Sequence, residues 1–183
     1  MSTESLYFIA LIPDKDIATE VDHFKHYAAD HFNTKHALRS PPHITLLPPF
    51  RWPAAQLAQV DLQLKAIAQK HPSFLLGLSG FDCFAPRVIF VDIVANRLLD
   101  NLQAHMQKQL YQKLQLQADR PPRPFHPHMT VAFKDLKKAI FPQAWAHFSG
   151  IDYQRYFQVK GFYLLHHREK RWHVHSHFAL TGS

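Results

Sequence analysis

"PPHITLLPPF", residues 41–50, opens on a proline pair, then sets histidine and threonine two positions apart ahead of an apolar run. Proline cannot continue a helix and holds the residue before it in extended backbone. His43 to Leu47 therefore reads as a strand. Side chains alternate along a strand, so His43 and Thr45 share one face while Ile44 and Leu46 share the other. "PFHPHMTVAF", residues 124–133, repeats the pattern 85 positions later. There His128 and Thr130 share a face, with Met129 and Val131 behind them.

The surroundings of the two copies repeat as well. "LYFIALIP" (6–13) is an apolar run ended by proline, which reads as a buried strand. Asp14 and Asp16 follow at helix-cap positions, and Ile17, Val21, Phe24 and Ala28 recur at helical spacing. After the first motif come a helix over about 53–69, carrying Leu57, Val60, Leu64 and Ile67, and a strand over 73–81. "RVIFVDIV" (87–94) then starts the order again with a β-branched strand. Leu98, Leu102, Met106 and Leu110 mark its helix, "ADRPPRPFHP" breaks it, and the second motif follows. A shorter helix near 136–148 leads into a pair of strands read as a hairpin, "YFQVKGFYLLHH" (156–167) and "RWHVHSHFAL" (171–180). Strand-to-motif spacings are close, 36 residues from Tyr7 to His43 and 40 from Val88 to His128. The pattern predicts an α+β fold of one domain, 1–183, made of two pseudo-symmetric lobes. The repeats run over approximately 1–82 and 83–183. Each lobe carries an antiparallel sheet flanked by helices, with a cleft between them.

Composition limits the chemistry. At 183 residues and 46% hydrophobic, the chain is long enough to bury a core. A formal charge of +7, with fifteen histidines counted neutral, favours an anionic partner such as RNA or a nucleotide. Cys83 is the one cysteine, so no internal disulfide forms, and it reads as a small buried hydrophobe. The N-terminus has no basic leader, and no apolar stretch approaches the ~20 residues a bilayer requires. A soluble, cytoplasmic monomer without membrane contact is expected. The phosphate-cradling and dinucleotide-binding glycine motifs are both missing from the sequence, so no cofactor is expected.

If the lobes pack about a twofold axis, both His/Thr pairs converge on one cleft. Two imidazoles across a substrate can serve as base and acid in one turnover, and two threonine hydroxyls add donors for a phosphate. Two unperturbed histidines would give a bell-shaped rate profile centred near neutrality. His126 and His128 also form an H-x-H on one strand face, but no carboxylate lies near them in sequence, so a metal site is not expected. On the last strand, alternation puts His173, His175 and His177 on one face and Trp172, Val174, Ser176 and Phe178 on the other. Those histidines face solvent or line the cleft. Phe50, Phe84 and Phe133 could stack on a base or simply pack in the core.

"HITL" and "HMTV", one in each half, resemble the paired His-x-Thr/Ser motifs of the two-histidine phosphoesterase superfamily. The flanks "PPHITLLPPF" and "RPFHPHMTVAF" look most like its bacterial 2′-5′ RNA ligase and cyclic phosphodiesterase branch. The resemblance implies a bilobal fold and metal-independent chemistry at an RNA or nucleotide 2′,3′-cyclic phosphate or 2′-5′ linkage. It also implies that His43 is the proton donor, His128 the acceptor, and that Thr45 and Thr130 hold phosphate oxygens. Relatives often carry an arginine shortly after the second motif, where this chain has Phe133 and Lys134. Arg123 and Lys134 are candidates for that charge, and His173 and His175 for a substrate-lining wall. The reading that follows is hydrolysis of 2′,3′-cyclic phosphates to 2′-phosphates, with reversible 2′-5′ joining. Its alternatives are a non-catalytic RNA- or nucleotide-binding module and a metal-dependent hydrolase built on the histidine-rich last strand.

Overall fold

Strand β1 (Glu4–Leu11) is the first apolar run, and α1 (Lys15–Phe32) starts on the Asp14 N-cap, whose side chain accepts from the Ile17 N–H at 3.1 Å. The computed structural model describes residues 4–116 and 124–182, so Arg123 lies outside the described residues. A short 3₁₀ turn (His36–Arg39) leads into β2 (Ile44–Pro53), which runs on through the second proline pair. Helix α2 (Leu57–Ala68) and β3 (Phe74–Phe84) follow. Then come β4 (Val88–Ile93), α3 (Arg97–Lys113), β5 (His128–Ala132) and α4 (Phe141–Phe148). Asn96 caps α3 through the Leu98 and Leu99 N–H groups. The chain ends in β6 (Gln154–Val159), β7 (Gly161–Arg168) and β8 (Arg171–Ala179).

Among the described residues the strands form one antiparallel sheet in the order β6-β3-β4-β5-β2-β1-β7-β8. That order is symmetric about the β2/β5 junction, so β1 answers to β4, β7 to β3 and β8 to β6. The two sheets expected from the repeat are joined there by a single paired register, Ile44 opposite Met129. The junction uses backbone edges that would otherwise stay open. The sheet's halves are not the chain's halves. β3 crosses over to pair with β4, β7 returns to pair with β1, and the 82/83 boundary falls inside β3.

The expected hairpin forms between β7 and β8, with Gly161 opposite Ala179 and Arg168 opposite Arg171, but "YFQVKGFYLLHH" is only in part its first arm. It is the end of β6 and most of β7, separated by Lys160 and lying on opposite sides of the sheet. Gly161 is needed at that crossing because a Cβ there would sit 2.6 Å from the Phe178 carbonyl oxygen.

Alternation along β1 supplies two apolar faces. Tyr7, Ile9 and Leu11 join Ile44, Leu46, Met129 and Val131 in the main core, which the helices cover. Phe8 and Ala10 face the other way and form a small cluster with Leu165, flanked by Ile12, Tyr163 and Trp172. This is why the first strand reads as unbroken hydrophobicity rather than alternation. Ile44 and Met129 are fully buried, each contributing about 1.5–3 kcal/mol at the joint that carries both motifs.

Candidate active site

The paired register Ile44/Met129 has a direct consequence for their neighbours. In an antiparallel pair, residues one step away on each side face each other across the strands. His43 therefore stands across from Thr130, and Thr45 across from His128. Since Ile44 and Met129 point into the helix-covered core, all four of these side chains occupy the opposite face. The two histidines sit on a diagonal of this square, at the ~7–8 Å spacing of diagonal cross-strand neighbours.

Both rings are held alike. His43 Nδ1 lies 2.7 Å from the Pro41 carbonyl oxygen, and His128 Nδ1 lies 2.7 Å from that of His126. Each bond spans two residues and each skips a proline, Pro42 in one copy and Pro127 in the other. A carbonyl accepts only, so Nδ1 must donate, which leaves Nε2 as the free nitrogen of each neutral imidazole. The repeated Pro-His thus fixes the tautomer as well as the strand start.

Burial lowers the pKa of both histidines. It pushes His43 down to about 4, against the Pro41 bond that favours the charged ring, with the positive Lys25, and His128 once it is protonated, adding to the depression. Burial also lowers His128, reinforced by His126, while the Pro127-flanked carbonyl bond and the Asp92 carboxylate oppose the shift. At neutral pH the free site holds two neutral imidazoles.

Three residues that the sequence reading passed over shape this site. Lys25, 2% exposed, sits on the apolar stripe of α1 and donates from Nζ to the Ser40 carbonyl (3.0 Å) and to Asp22 Oδ1 (3.2 Å). It anchors the segment that delivers His43. Asp92 pairs with His128 in the β4/β5 register and so shares its face, a carboxylate brought in through the sheet rather than along the chain. Asp135 accepts from Thr34 Oγ1 (2.7 Å) and from the Lys35 and His36 N–H groups (2.9 and 3.0 Å). It ties the end of α1 to the end of β5. Burial raises the Asp135 carboxyl, but these hydrogen bonds outweigh it and hold it below the usual range.

The other candidates are distributed unevenly. Phe84, 40% exposed, stands edge-on to His128 with ring centroids 5.2 Å apart and packs on the buried Phe90. Phe50 is buried against Tyr7 on the helix side, remote from the His/Thr face. Phe133 is 41% exposed but touches His36, and Lys134 acts on the same ring, so both belong to the turn before β2 rather than to the His/Thr square. The last strand departs from simple alternation. A register irregularity where Leu164/Ser176 gives way to Leu165/Val174 leaves His175 as an extra residue. Trp172 consequently faces Phe8, whereas Phe178 joins the main core. His175 approaches Tyr7 and His166, while His177 lies against Tyr163 on the other side. The three-histidine face expected there does not form. No group of three or more histidine, cysteine or acidic side chains is placed to hold a metal among the described residues. No helix there is long and apolar enough to cross a membrane.

Comparison with known proteins identifies a family and a fold. The family model of the 2′-5′ RNA ligase superfamily matches residues 13–171. A protein of Bacillus cytotoxicus, whose name assigns it only to the phosphoesterases, is 32% identical over 143 residues, covering 76% of this chain and 79% of its own. The RNA 2′,3′-cyclic phosphodiesterase of Bacillus subtilis is 32% identical over 104 residues, 55% of either chain. The fold matches that of E. coli LigT in its apo form with a TM-score of 0.69, at 19% identity over 98% of this chain and 99% of that one. A crystal structure of LigT complexed with 3′-AMP matches with a TM-score of 0.66, at 20% identity and the same coverage.

Proposed function

The chain belongs to the 2′-5′ RNA ligase superfamily, and from that premise we propose that this phosphoesterase opens 2′,3′-cyclic phosphates to 2′-phosphates. The observation that carries the reading is the Ile44/Met129 register, which sets two His/Thr pairs on one face with Nε2 free on both rings. An in-line displacement at phosphorus needs a base on the attacking side and an acid on the leaving side. His128 accepts the proton of the attacking water as its oxygen bonds to phosphorus. His43 protonates the 3′-oxygen as the bond from phosphorus to it breaks. The products are a 2′-phosphate and a free 3′-hydroxyl. Thr45 and Thr130 donate to the phosphate oxygens whose charge grows in the transition state.

The donor role requires His43 to hold a proton that Lys25 and burial disfavour in the free site. An anionic phosphate between the rings supplies the compensating charge. If a 5′-hydroxyl replaces water, the same displacement makes a 2′-5′ bond, and the cyclic phosphate itself provides the driving force. The two imidazoles carry both proton transfers, so the scheme needs no Lewis acid.

The test is the product of 2′,3′-cyclic AMP turnover in the presence of EDTA. 2′-AMP supports the reading. 3′-AMP would exchange the acid and base sides, and activity restored only by added metal would refute the scheme. Stoichiometric binding without turnover would favour a binding module instead.

A further inference from the structure

The two sides of the His/Thr square match in backbone but not in charge. Leu11 pairs with Ile44 as Val91 pairs with Met129, so β1 meets the first motif as β4 meets the second. One step along β4, Asp92 stands directly opposite His128. One step past Leu11, the matching residue is Ile12. Each histidine also meets a phenylalanine of its neighbouring strand, Phe8 at 4.8 Å and Phe90 at 5.0 Å, both at 52°. One side therefore carries a carboxylate where the other carries an aliphatic side chain.

The remaining charges sharpen the difference. Lys25, buried on α1, acts on His43, and Asp22 at 3.2 Å offsets part of its charge. His126 acts on His128 as a cation only when protonated. Asp92 is half-buried, and its Oδ1 accepts from the Ile93 N–H at 2.9 Å, which holds the carboxylate against its own strand. Residues directly opposed in an antiparallel pair keep their Cβ atoms ~4.5–5.5 Å apart, within the range at which an opposite charge governs an imidazole.

We propose that Asp92 is a positioning residue that makes His128 the base of the pair, by stabilising the positive charge His128 gains with the proton of the attacking water. The inference rests on the cyclic-phosphate reading of the His/Thr face. His128 Nδ1 is committed to the His126 carbonyl, so Asp92 acts by charge and not by choosing the tautomer. In the displacement one proton arrives at His128 Nε2 as another leaves His43 Nε2. One positive charge therefore passes from the Lys25 side of the site to the Asp92 side, and both fixed charges favour that passage. The imidazolium at His128 forms only as the water gives up its proton. Asp92 thus stabilises the transition state more than the bound substrate, whose anionic phosphate it repels. Backbone symmetry alone would leave the two rings equivalent; the carboxylate makes them unequal.

The experiment measures kcat and KM for 2′,3′-cyclic AMP across pH 5 to 9 in the wild type and in Asp92→Asn, using the full chain. Asparagine keeps the shape and the oxygen acceptor for the Ile93 N–H but carries no charge. On the alkaline side of the bell D92N should lose about tenfold in kcat, since a base deprived of its counter-charge takes a proton more slowly. KM should hold or fall, because a carboxylate near an anionic phosphate is gone. The loss should shrink toward acid pH and the alkaline limb should move to lower pH, because His128 without Asp92 stays neutral further into acid. A purely structural role would lower kcat by one factor at every pH. A loss independent of pH, or no loss, would overturn the proposal. So would 3′-AMP as the wild-type product, which would put Asp92 beside the acid. Absence of turnover in the wild type would instead refute the cyclic-phosphate reading itself. Urea unfolding that is unchanged in D92N shows that the loss is not one of folding.

Discussion

Replacing His43 by asparagine should flatten the acid limb of the protein's stability. The unfolded imidazole titrates at the ordinary 6.5, whereas burial in the folded chain pushes His43 down to about 4. Between those values the unfolded state binds a proton that the folded state refuses, so stability falls as pH falls. The contribution is intact above 6.5, declines through the window and is fully lost below about 4. Integrating between pH 7 and pH 4.5 gives a loss of about 2 kcal/mol from this one ring. His128 is lowered for the same reason and adds a loss of the same sign. Asparagine keeps a polar group of similar reach for the Pro41 carbonyl but has no titration. Urea unfolding of both proteins at pH 7, 5.5 and 4.5 measures the difference. The variant should lose about 2 kcal/mol less than the wild type on going from pH 7 to pH 4.5. Parallel curves would refute the buried, neutral His43 on which the site's electrostatics rest.

The same depression acts on rate. Since both imidazoles titrate below their ordinary value, the bell in kcat/KM against pH should be displaced to the acid side of the near-neutral bell that unperturbed histidines would give. A bell centred at or above neutrality would contradict it. Thr45→Val and Thr130→Val keep the side-chain shape but remove a donor, so each should lower kcat about 10–1000-fold with unfolding little changed. An unaffected kcat would take that threonine off the phosphate. Asp135→Ala strands the buried Thr34 hydroxyl and frees the turn before β2, which should cost about 1–3 kcal/mol in urea unfolding. A cost within error would show that water replaces the carboxylate.

What the sequence made legible was whatever depends on local spacing. Period-2 alternation placed His43 with Thr45 and His128 with Thr130, and Asp14 marked the start of α1 where the N-cap is found. The prolines before each motif marked the strand starts and, in the structure, are the residues that each Nδ1 bond skips. What was hidden depends on sheet order. Nothing local says that β6 and β7, one residue apart, leave for opposite sides of the sheet, because pairing partners are chosen by the whole core. The irregularity in β8 was equally silent, since it arises from mismatch with β7 and not from a glycine or proline of its own. Asp92 stands in a β-branched run, and its nearness to His128 exists only through the β4/β5 register. Lys25 did leave a trace, as a charge on the stripe shared by Val21 and Ala28. A lysine on an apolar stripe calls for a partner, and Ser40 and Asp22 provide it.

The central claim is that two motifs 85 positions apart act as one acid–base unit, and a double-mutant kinetic cycle tests it most directly. His43→Ala and His128→Ala should each lower kcat on 2′,3′-cyclic AMP by about 10²–10⁴. Removing both should cost far less than the product of the two losses, because neither half of the proton transfer works without the other. Either histidine removed with kcat intact would contradict the paired roles, and so would two losses that multiply.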